Sequence, residues 1–430
     1  MGHLPPLVEP GPELSLERLI RYSRQLALPG FDETAQRRLA AARILVIGAG
    51  GLGSASIPYL ASSGVGTIGV VDDDVVELSN LHRQVMHTLA MLGRPKVESA
   101  ALAALAIDPE IRVETHPVRV DATSLAAILG DYDLVLDGSD NFETRYLCAD
   151  ACAAAGKPLV WGAILRFAGQ VSVSWAGAGP TYRDLYPVQP AAGEVPNCAQ
   201  AGVVPGVCAV IGSLMATEAL KIVTGLGEPL VGRVTTYDAL TGRFREIEYA
   251  AADDEPTVPG TGGRDAEDAR PARAAAAGTV AVGAAPAPAV PATPVGGATR
   301  PRGRASHPGA AAATPGRQAA SFNPARAQIS VRQMADWRQQ GTTFQLVDVR
   351  EPYEVRIAAI PGSEAIPLRS LGDELGRLRH DVPLVVHCHV GDRSFQAVRY
   401  LHAHGYPNAV NLVGGIDAYA RQVDTTMARY

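Results

Sequence analysis

Cys388 stands in the run HCHVGDRS, positions 387–394, between two histidines and ahead of Gly391, Asp392, Arg393 and Ser394. Residues of these types can ligate a metal, hold a phosphate-type nucleophile or carry sulfur. Metal ligation fails on geometry. The apolar VPLVVH before the loop reads as a strand, and successive strand side chains point to opposite faces. His387, Cys388 and His389 therefore cannot converge on one ion. A cysteine that closes a buried strand and opens the helix RSFQAVRYLHAHG has another use. Turn N–H groups and the helix N-terminus favour its thiolate, and Arg393 adds positive charge.

A second constellation lies near the other end. Gly48, Gly50 and Gly53 follow the strand-like RILVI as G-x-G-x-x-G, and Asp72 closes the next strand. Glycines let the backbone approach phosphates, a helix N-terminus favours anions, and a carboxylate can hold ribose hydroxyls; NAD, FAD and ATP all fit. Beyond the second strand come SNLHRQ (79–84), GRPK with Lys96, and DGSDNFETR from Asp137. A hydride-transfer enzyme needs one acidic ribose partner rather than this many polar and cationic groups. Arg83 and Lys96 suit a triphosphate, and Asp140 at a strand end suits a magnesium ion bridging its oxygens. Cys198 sits in the polar, proline-bearing GEVPNCAQAGV and reads as a loop thiol, whereas Cys148, Cys152 and Cys208 read as small buried hydrophobes.

The elements that must position these residues alternate strand and helix, which predicts doubly wound parallel sheets. ARILVIGAGGLGSASIPYLASSGVGTIGVVDDD reads strand, glycine turn, helix, strand. TFQLVDVR, VPLVVHC and AVNLVGG repeat the logic on a smaller scale. Between the two regions the composition shifts to Ala, Pro, Gly and Arg, too poor in large apolar residues to offset ordering entropy. The expected organisation is a flexible tail at 1–14, a large domain at 15–250, a disordered linker at 251–328 and a small domain at 329–430. A net charge of −6 and a pI of about 6.0 imply no basic face for nucleic acid. The N-terminus has no signal-peptide pattern, and no apolar run approaches the roughly 20 residues of a membrane span. Five scattered cysteines, none spaced CxxC, suggest reduced thiols in a cytoplasm.

RYSRQ, GAGGLGS, SNLHRQ, GRPKVESA, DGSDNFETRY, NCAQAGV and GSLMATEALKIVTG resemble the molybdopterin-synthase and thiamine-biosynthesis adenylyltransferases, bacterial relatives of ubiquitin-activating enzymes. From about Ile329, the runs LVDVREPYE, IPGSEAIPL and VNLVGGIDAY and the Cys388 loop resemble a rhodanese. Four residues separate Cys388 from Arg393, where cysteine-based phosphatases hold five; the shorter ring suits a persulfide. The fold expected is α/β, a Rossmann-like doubly wound adenylation domain joined by the linker to a small α/β rhodanese domain.

The resemblance implies that ATP and magnesium adenylate the C-terminal glycine of a ubiquitin-like sulfur carrier ending in Gly-Gly. Gly50, Gly51, Asp72, Ser79, Asn80, Arg83, Lys96, Asp140 and Asn141 would bind the nucleotide, with Asp140 at the magnesium. Arg24 would reach the triphosphate of a neighbouring subunit, which implies a homodimer. A Cys388 persulfide, loaded by a cysteine desulfurase or by thiosulfate, would then attack the acyl-adenylate. Cys198 would form a thioester or resolve a disulfide. Asp392 is expected to disfavour thiosulfate. Thr181 and Asp184 stand where much of the family has zinc-binding cysteines, so no zinc is expected. The carrier, and with it a molybdopterin, thiamine or cysteine pathway, stays open. Two further functions are an activator that keeps its modifier as a Cys198 thioester and an NAD-linked oxidoreductase carrying a sulfur domain.

Overall fold

After their first residues, Arg43 and Thr67, runs such as RILVI and TIGVV hold no polar side chain, the pattern of strands covered on both faces. In the computed structural model, which describes residues 4–191, 201–251, 323–324 and 327–430, they form the centre of an eight-stranded sheet. Its strands are β1 (Arg43–Ile47), β2 (Thr67–Val71), β3 (Arg112–His116), β4 (Leu134–Asp137), β5 (Leu159–Leu165), β6 (Ala168–Ser174), β7 (Arg233–Asp238) and β8 (Arg243–Glu248). They lie in the order β3-β2-β1-β4-β5-β6-β7-β8, parallel through β5 and antiparallel beyond it.

The helices in this part are α1 (Leu16–Arg21), α2 (Ser23–Leu26), α3 (Glu33–Ala41), α4 (Gly51–Ser62), α5 (Lys96–Ile107), α6 (Ala122–Leu129), α7 (Phe142–Ala154), α8 (Tyr182–Leu185) and α9 (Pro205–Thr224). Strand alternation splits the core. Ile44 and Val46 pack with residues of α4, α5 and α9, whereas Leu45 and Ile47 pack with residues of α6 and α7. Asp32 and Asn141 cap α3 and α7 through their side chains, satisfying N–H groups the helices cannot.

Two expectations are corrected here. Residues 4–14 are pinned rather than free: the Leu7 amide donates to the Ile222 carbonyl at 3.0 Å, Arg38 binds the Val8 carbonyl, and Leu14 is buried. Leucines and a valine among the prolines supply the apolar contacts. Among the described residues one helix, α9, is also long and apolar enough to cross a membrane. Val207, Ile211, Met215, Ala219 and Ile222 spend that character on the sheet, as in a core helix. Most of the expected linker, and Cys198, lie outside the described residues.

The second sheet comprises β9 (Gln328–Ser330), β10 (Gln345–Asp348), β11 (Ser363–Ala365), β12 (Leu384–His387) and β13 (Ala409–Val413), all parallel in the order β11-β10-β12-β13-β9. Around it lie α10 (Val331–Gln339), α11 (Pro352–Ile357), α12 (Asp392–Ala403) and α13 (Gly415–Gln422).

One tight approach sets the first glycine turn. A Cβ on Gly53 would lie 2.1 Å from the Gly48 carbonyl oxygen, so helix α4 can start there only with glycine at that position. Gly53→Ala is expected to cost about 1–3 kcal/mol through overpacking, seen as a lower midpoint of the first urea transition.

Candidate functional site

Gly48, with φ +90°, turns the chain out of β1, and Gly50 caps the start of α4, with Gly51 as its first residue. The turn is bolted from two sides. Asp72 Oδ2 accepts from the Ala49 amide at 2.8 Å, and the buried His87 bridges the Ala49 carbonyl (Nε2, 2.9 Å) and Ser99 Oγ (Nδ1, 2.8 Å). Burial pushes the Asp72 carboxyl up, against the Lys96 charge, and pushes the His87 imidazole down. His87 was not singled out in the sequence. Only its position just past SNLHRQ hinted at it.

Lys96, buried at the start of α5, places Nζ 2.7 Å from Asp74. Asn80 is buried and accepts from the Glu77 amide at 3.1 Å, with Ser79 Oγ on Glu77 Oε2. Arg83 is half-buried and donates to the Ser79 carbonyl at 2.9 Å. Asp140 follows β4 and is exposed, with no hydrogen bond or ion pair among the described residues; Asn141 caps α7 through the Thr144 amide. The turn carrying Asp140 is held by Arg145, another residue not foreseen. Arg145 donates to the Ser139 and Gly162 carbonyls and lies 3.6 Å from the buried Asp137. Every one of these expected nucleotide residues gathers at the C-terminal end of the parallel strands, where open α/β sheets bind ligands. Arg24 does not. It lies on α2, beside the C-terminal ends of α4 and α5: its neighbours Arg21 and Gln25 bind the Ile107 and Ser63 carbonyls.

Thr181 and Asp184 form a reciprocal cap on α8, with Asp184 Oδ2 accepting from the Thr181 amide and hydroxyl at 2.6 and 2.8 Å. These groups offer no thiolate. Packing holds the region: Tyr182 meets Trp161, Tyr146 and Tyr186 with ring centroids 5.1–5.2 Å apart. Cys148, Cys152 and Cys208 are buried, and burial pushes the first two thiols up, Cys152 to about 12.

Cys388 follows β12 and is buried. Its Sγ accepts from the Gly391 amide at 3.1 Å and lies 3.4 Å from Ser394 Oγ, which also binds Asn411 at 2.6 Å. A second glycine loop presses on the first. Ile416 and Asp417 amides donate to the Cys388 and His389 carbonyls, and a Cβ on Gly415 would lie 2.3 Å from the Cys388 carbonyl oxygen. The two histidines diverge because β12 ends at His387 and the chain turns before His389. His387 is fully buried on Ser363 Oγ, and burial pushes it down to about 4; His389 stacks on Tyr430 at 4.3 Å.

Arg393 was expected to add positive charge to the loop; both its terminal nitrogens bind Glu354, at 2.7 and 2.6 Å, so that charge is shared with a carboxylate. Tyr430 Oη joins this pair to Arg350, which also binds Asp348. Asp392 is exposed in the first turn of α12. The N-terminal helices pack beside this loop. Leu14, Leu19, Tyr22 and Leu26 cluster with Tyr353 and Ile357, and Arg356 binds Glu33 at 2.6 Å.

Residues 22–258 match the ThiF family, and residues 330–422 match the rhodanese-like domain. This chain belongs to the ThiF family. Over 433 residues it is 42% identical to the "Probable adenylyltransferase/sulfurtransferase MoeZ" of Mycobacterium tuberculosis, covering 99% of each chain. It is 33% identical to the adenylyltransferase and sulfurtransferase MOCS3 of Arabidopsis thaliana, over 97% of this chain and 86% of that one. The sulfur carrier protein adenylyltransferase of Thermus thermophilus is 48% identical but matches only 56% of this chain. Among solved structures, Escherichia coli MccB shares the fold of one part, with a TM-score of 0.50 and 19% identity over 57% of this chain and 75% of that one. This ThiF-family chain is thus an enzyme that joins an adenylyltransferase domain to a sulfurtransferase domain.

The Glu354–Arg393 pair gives a pH signature. Burial works against the Glu354 carboxylate, but Arg393 outweighs it and holds the carboxyl below its usual 4.5. A depressed folded-state value stabilises above the unfolded value, and that contribution is lost as pH falls through the lower folded one. Glu354→Gln should cost about 1–3 kcal/mol at pH 7, less than a fully buried pair because Arg393 is partly exposed. Its thermal midpoint should also change less than the wild type's between pH 6 and pH 4, as differential scanning fluorimetry would record.

Proposed function

We propose that the chain uses ATP and magnesium to adenylate the C-terminal glycine of a ubiquitin-like sulfur carrier, and that Cys388, as a persulfide, converts that adenylate to a thiocarboxylate precursor. One observation carries this reading. A phosphate-sized glycine turn and a thiol cradled by a backbone amide each close a parallel strand within one chain, and the relatives that cover its full length carry both activities in their names.

In the first step the residues bind and orient rather than attack. Amides at the start of α4 face the phosphates, and Arg83 and Lys96 balance the triphosphate; Asp72, whose oxygens accept from the Ala49 and Asp74 amides, would receive the ribose hydroxyls on its remaining lone pairs. Ser79, Asn80 and Asn141 shape the walls. Asp140, exposed and unpaired among the described residues, would hold the magnesium, which would draw charge off the departing pyrophosphate. The carrier carboxylate itself attacks the α-phosphate, so positioning and charge stabilisation suffice.

In the second step the Gly391 amide donates to the Cys388 sulfur, with the Ser394 hydroxyl beside it, and fixes where the sulfur points. Glu354 keeps Arg393 in place as a fixed strut of the loop. Cys198 serves as the thiol that forms a thioester or resolves the linkage. Arg24, a helix length from its own nucleotide residues, is suited to a second copy's triphosphate in a homodimer. Cysteine desulfurase or thiosulfate supplies the sulfur, and the reduced thiols fit a cytoplasmic enzyme. The region of Thr181 and Asp184 works without zinc.

Asp140→Ala should abolish carrier-dependent pyrophosphate exchange while thiosulfate-to-cyanide sulfur transfer persists. Cys388→Ala should do the reverse. Loss of both activities in both variants would refute this division of labour.

A further inference from the structure

Beside the Cys388 loop lies a cavity of about 410 Å³, lined in part by His389, Asp417, Arg421, Arg429 and Tyr430 from the sulfurtransferase domain and by Arg24 from the adenylation domain. Asp417 pairs with Arg421 at 2.8 Å and with Arg429 at 3.4 Å. Among the lining side chains, three guanidinium groups stand against one carboxylate, which leaves the lining net positive. His389, driven toward its neutral form first by burial, does not add to it. Arg24 is exposed and has no hydrogen bond or ion pair among the described residues, so its charge is free for a ligand. A five-atom dianion displaces on the order of two or three waters of ~30 Å³ each, far less than this cleft. Its size and charge suit a phosphate ester attached to a longer chain.

The cleft is far from the nucleotide residues of its own chain. Gly51 and Lys96 begin α4 and α5, whereas Arg24 lies past the other ends of both helices, next to residues that contact Ser63 and Ile107. Each helix has 12 residues, about 17 Å. Attack needs the reacting atoms within about 3–3.5 Å. Leu19, Tyr22, Tyr353 and Ile357, with the Glu33–Arg356 pair, hold the domain where it is.

We propose that this cleft takes the phosphate end of a carrier acyl-adenylate formed on a second copy of the chain, so that sulfur passes between subunits. The inference rests on the proposed function and adds its acceptor site and its direction. The terminal sulfur of the Cys388 persulfide, having lost its proton to solvent, adds to the acyl carbon. The carbon–oxygen bond to phosphate breaks, AMP leaves with the electron pair, and an acyl disulfide on Cys388 remains. No oxidant or reductant enters. Arg24, Arg421 and Arg429 stabilise the phosphate as it departs.

Asp140→Ala and Cys388→Ala chains, inactive alone in ATP-dependent thiocarboxylate formation, should regain it when co-produced. Random pairing makes half the dimers mixed, each with one working pair of sites, so about a quarter of wild-type activity is expected. Arg429→Ala added to the chain that keeps Cys388 should lower the regained rate on the order of tenfold, less than loss of an enclosed oxyanion donor. Added to the other chain it should change nothing. Thiosulfate-to-cyanide transfer by the Arg429→Ala chain reports its folding and should stay near the wild-type rate.

Failure of the mixed chains to regain activity overturns the inference, as does an equal effect of Arg429→Ala on either chain. A raised KM for thiosulfate with thiocarboxylate formation intact also overturns it, since the cleft would then serve the donor. A wild-type chain that forms no thiocarboxylate refutes the underlying reading instead.

Discussion

In a parallel sheet every strand leaves at the same end, and that direction governs the chemistry of both halves of this chain. Loops that carry backbone N–H groups and helix N-termini collect at the C-terminal strand ends, so anionic groups bind there. The Gly48–Gly53 turn occupies that end of one sheet and the Cys388 loop that end of the other. Arg24 lies at the opposite end of the first sheet, which is why the docking of the second domain on α1 and α2 matters. It brings a thiol loop to the wrong end for its own nucleotide turn, and to the right end for a residue that would serve another copy.

Both loops are held by contacts that leave little room for change. The first depends on Asp72 holding the amide and His87 the carbonyl of Ala49. The second depends on Gly415 lying against the Cys388 carbonyl and on a line of charges from Asp348 through Arg350, Tyr430 and Glu354 to Arg393. Burying such charges costs desolvation that only good geometry offsets. Here the geometry is bidentate at both arginines. The gain is rigidity around a nucleophile whose sulfur, among the described residues, has one amide and one hydroxyl within reach.

Much of this could be read from the residues alone because the signals are local. A glycine turn after an apolar strand, a carboxylate at the next strand end and a cysteine before an amphipathic helix each lie within a few residues. Strand alternation likewise set Cys388 apart from the histidines on either side of it. The missing parts are partnerships across long separations. Glu354 meets Arg393 across 39 residues, and no spacing rule announces it. His87 and Arg145 bolt the nucleotide end through carbonyls, which leave no trace in side-chain type. The run RYSRQ is split between two short helices at Tyr22, whose hydroxyl reaches Asp108. Residues 4–14 looked like a tail because prolines dominate them, while the few leucines that pin them find their partners on α9.

The central claim is that both sites act in sequence on one carrier terminus. Intact mass spectrometry of a Gly-Gly-ending carrier, after incubation with the full chain, ATP, magnesium and an isotopically labelled sulfur donor, tests it most directly. The account predicts that one labelled sulfur replaces one oxygen at the carrier terminus, only when ATP is present. A carrier that stays chemically unchanged, or accumulates as a stable thioester on the enzyme with no labelled sulfur, would contradict it.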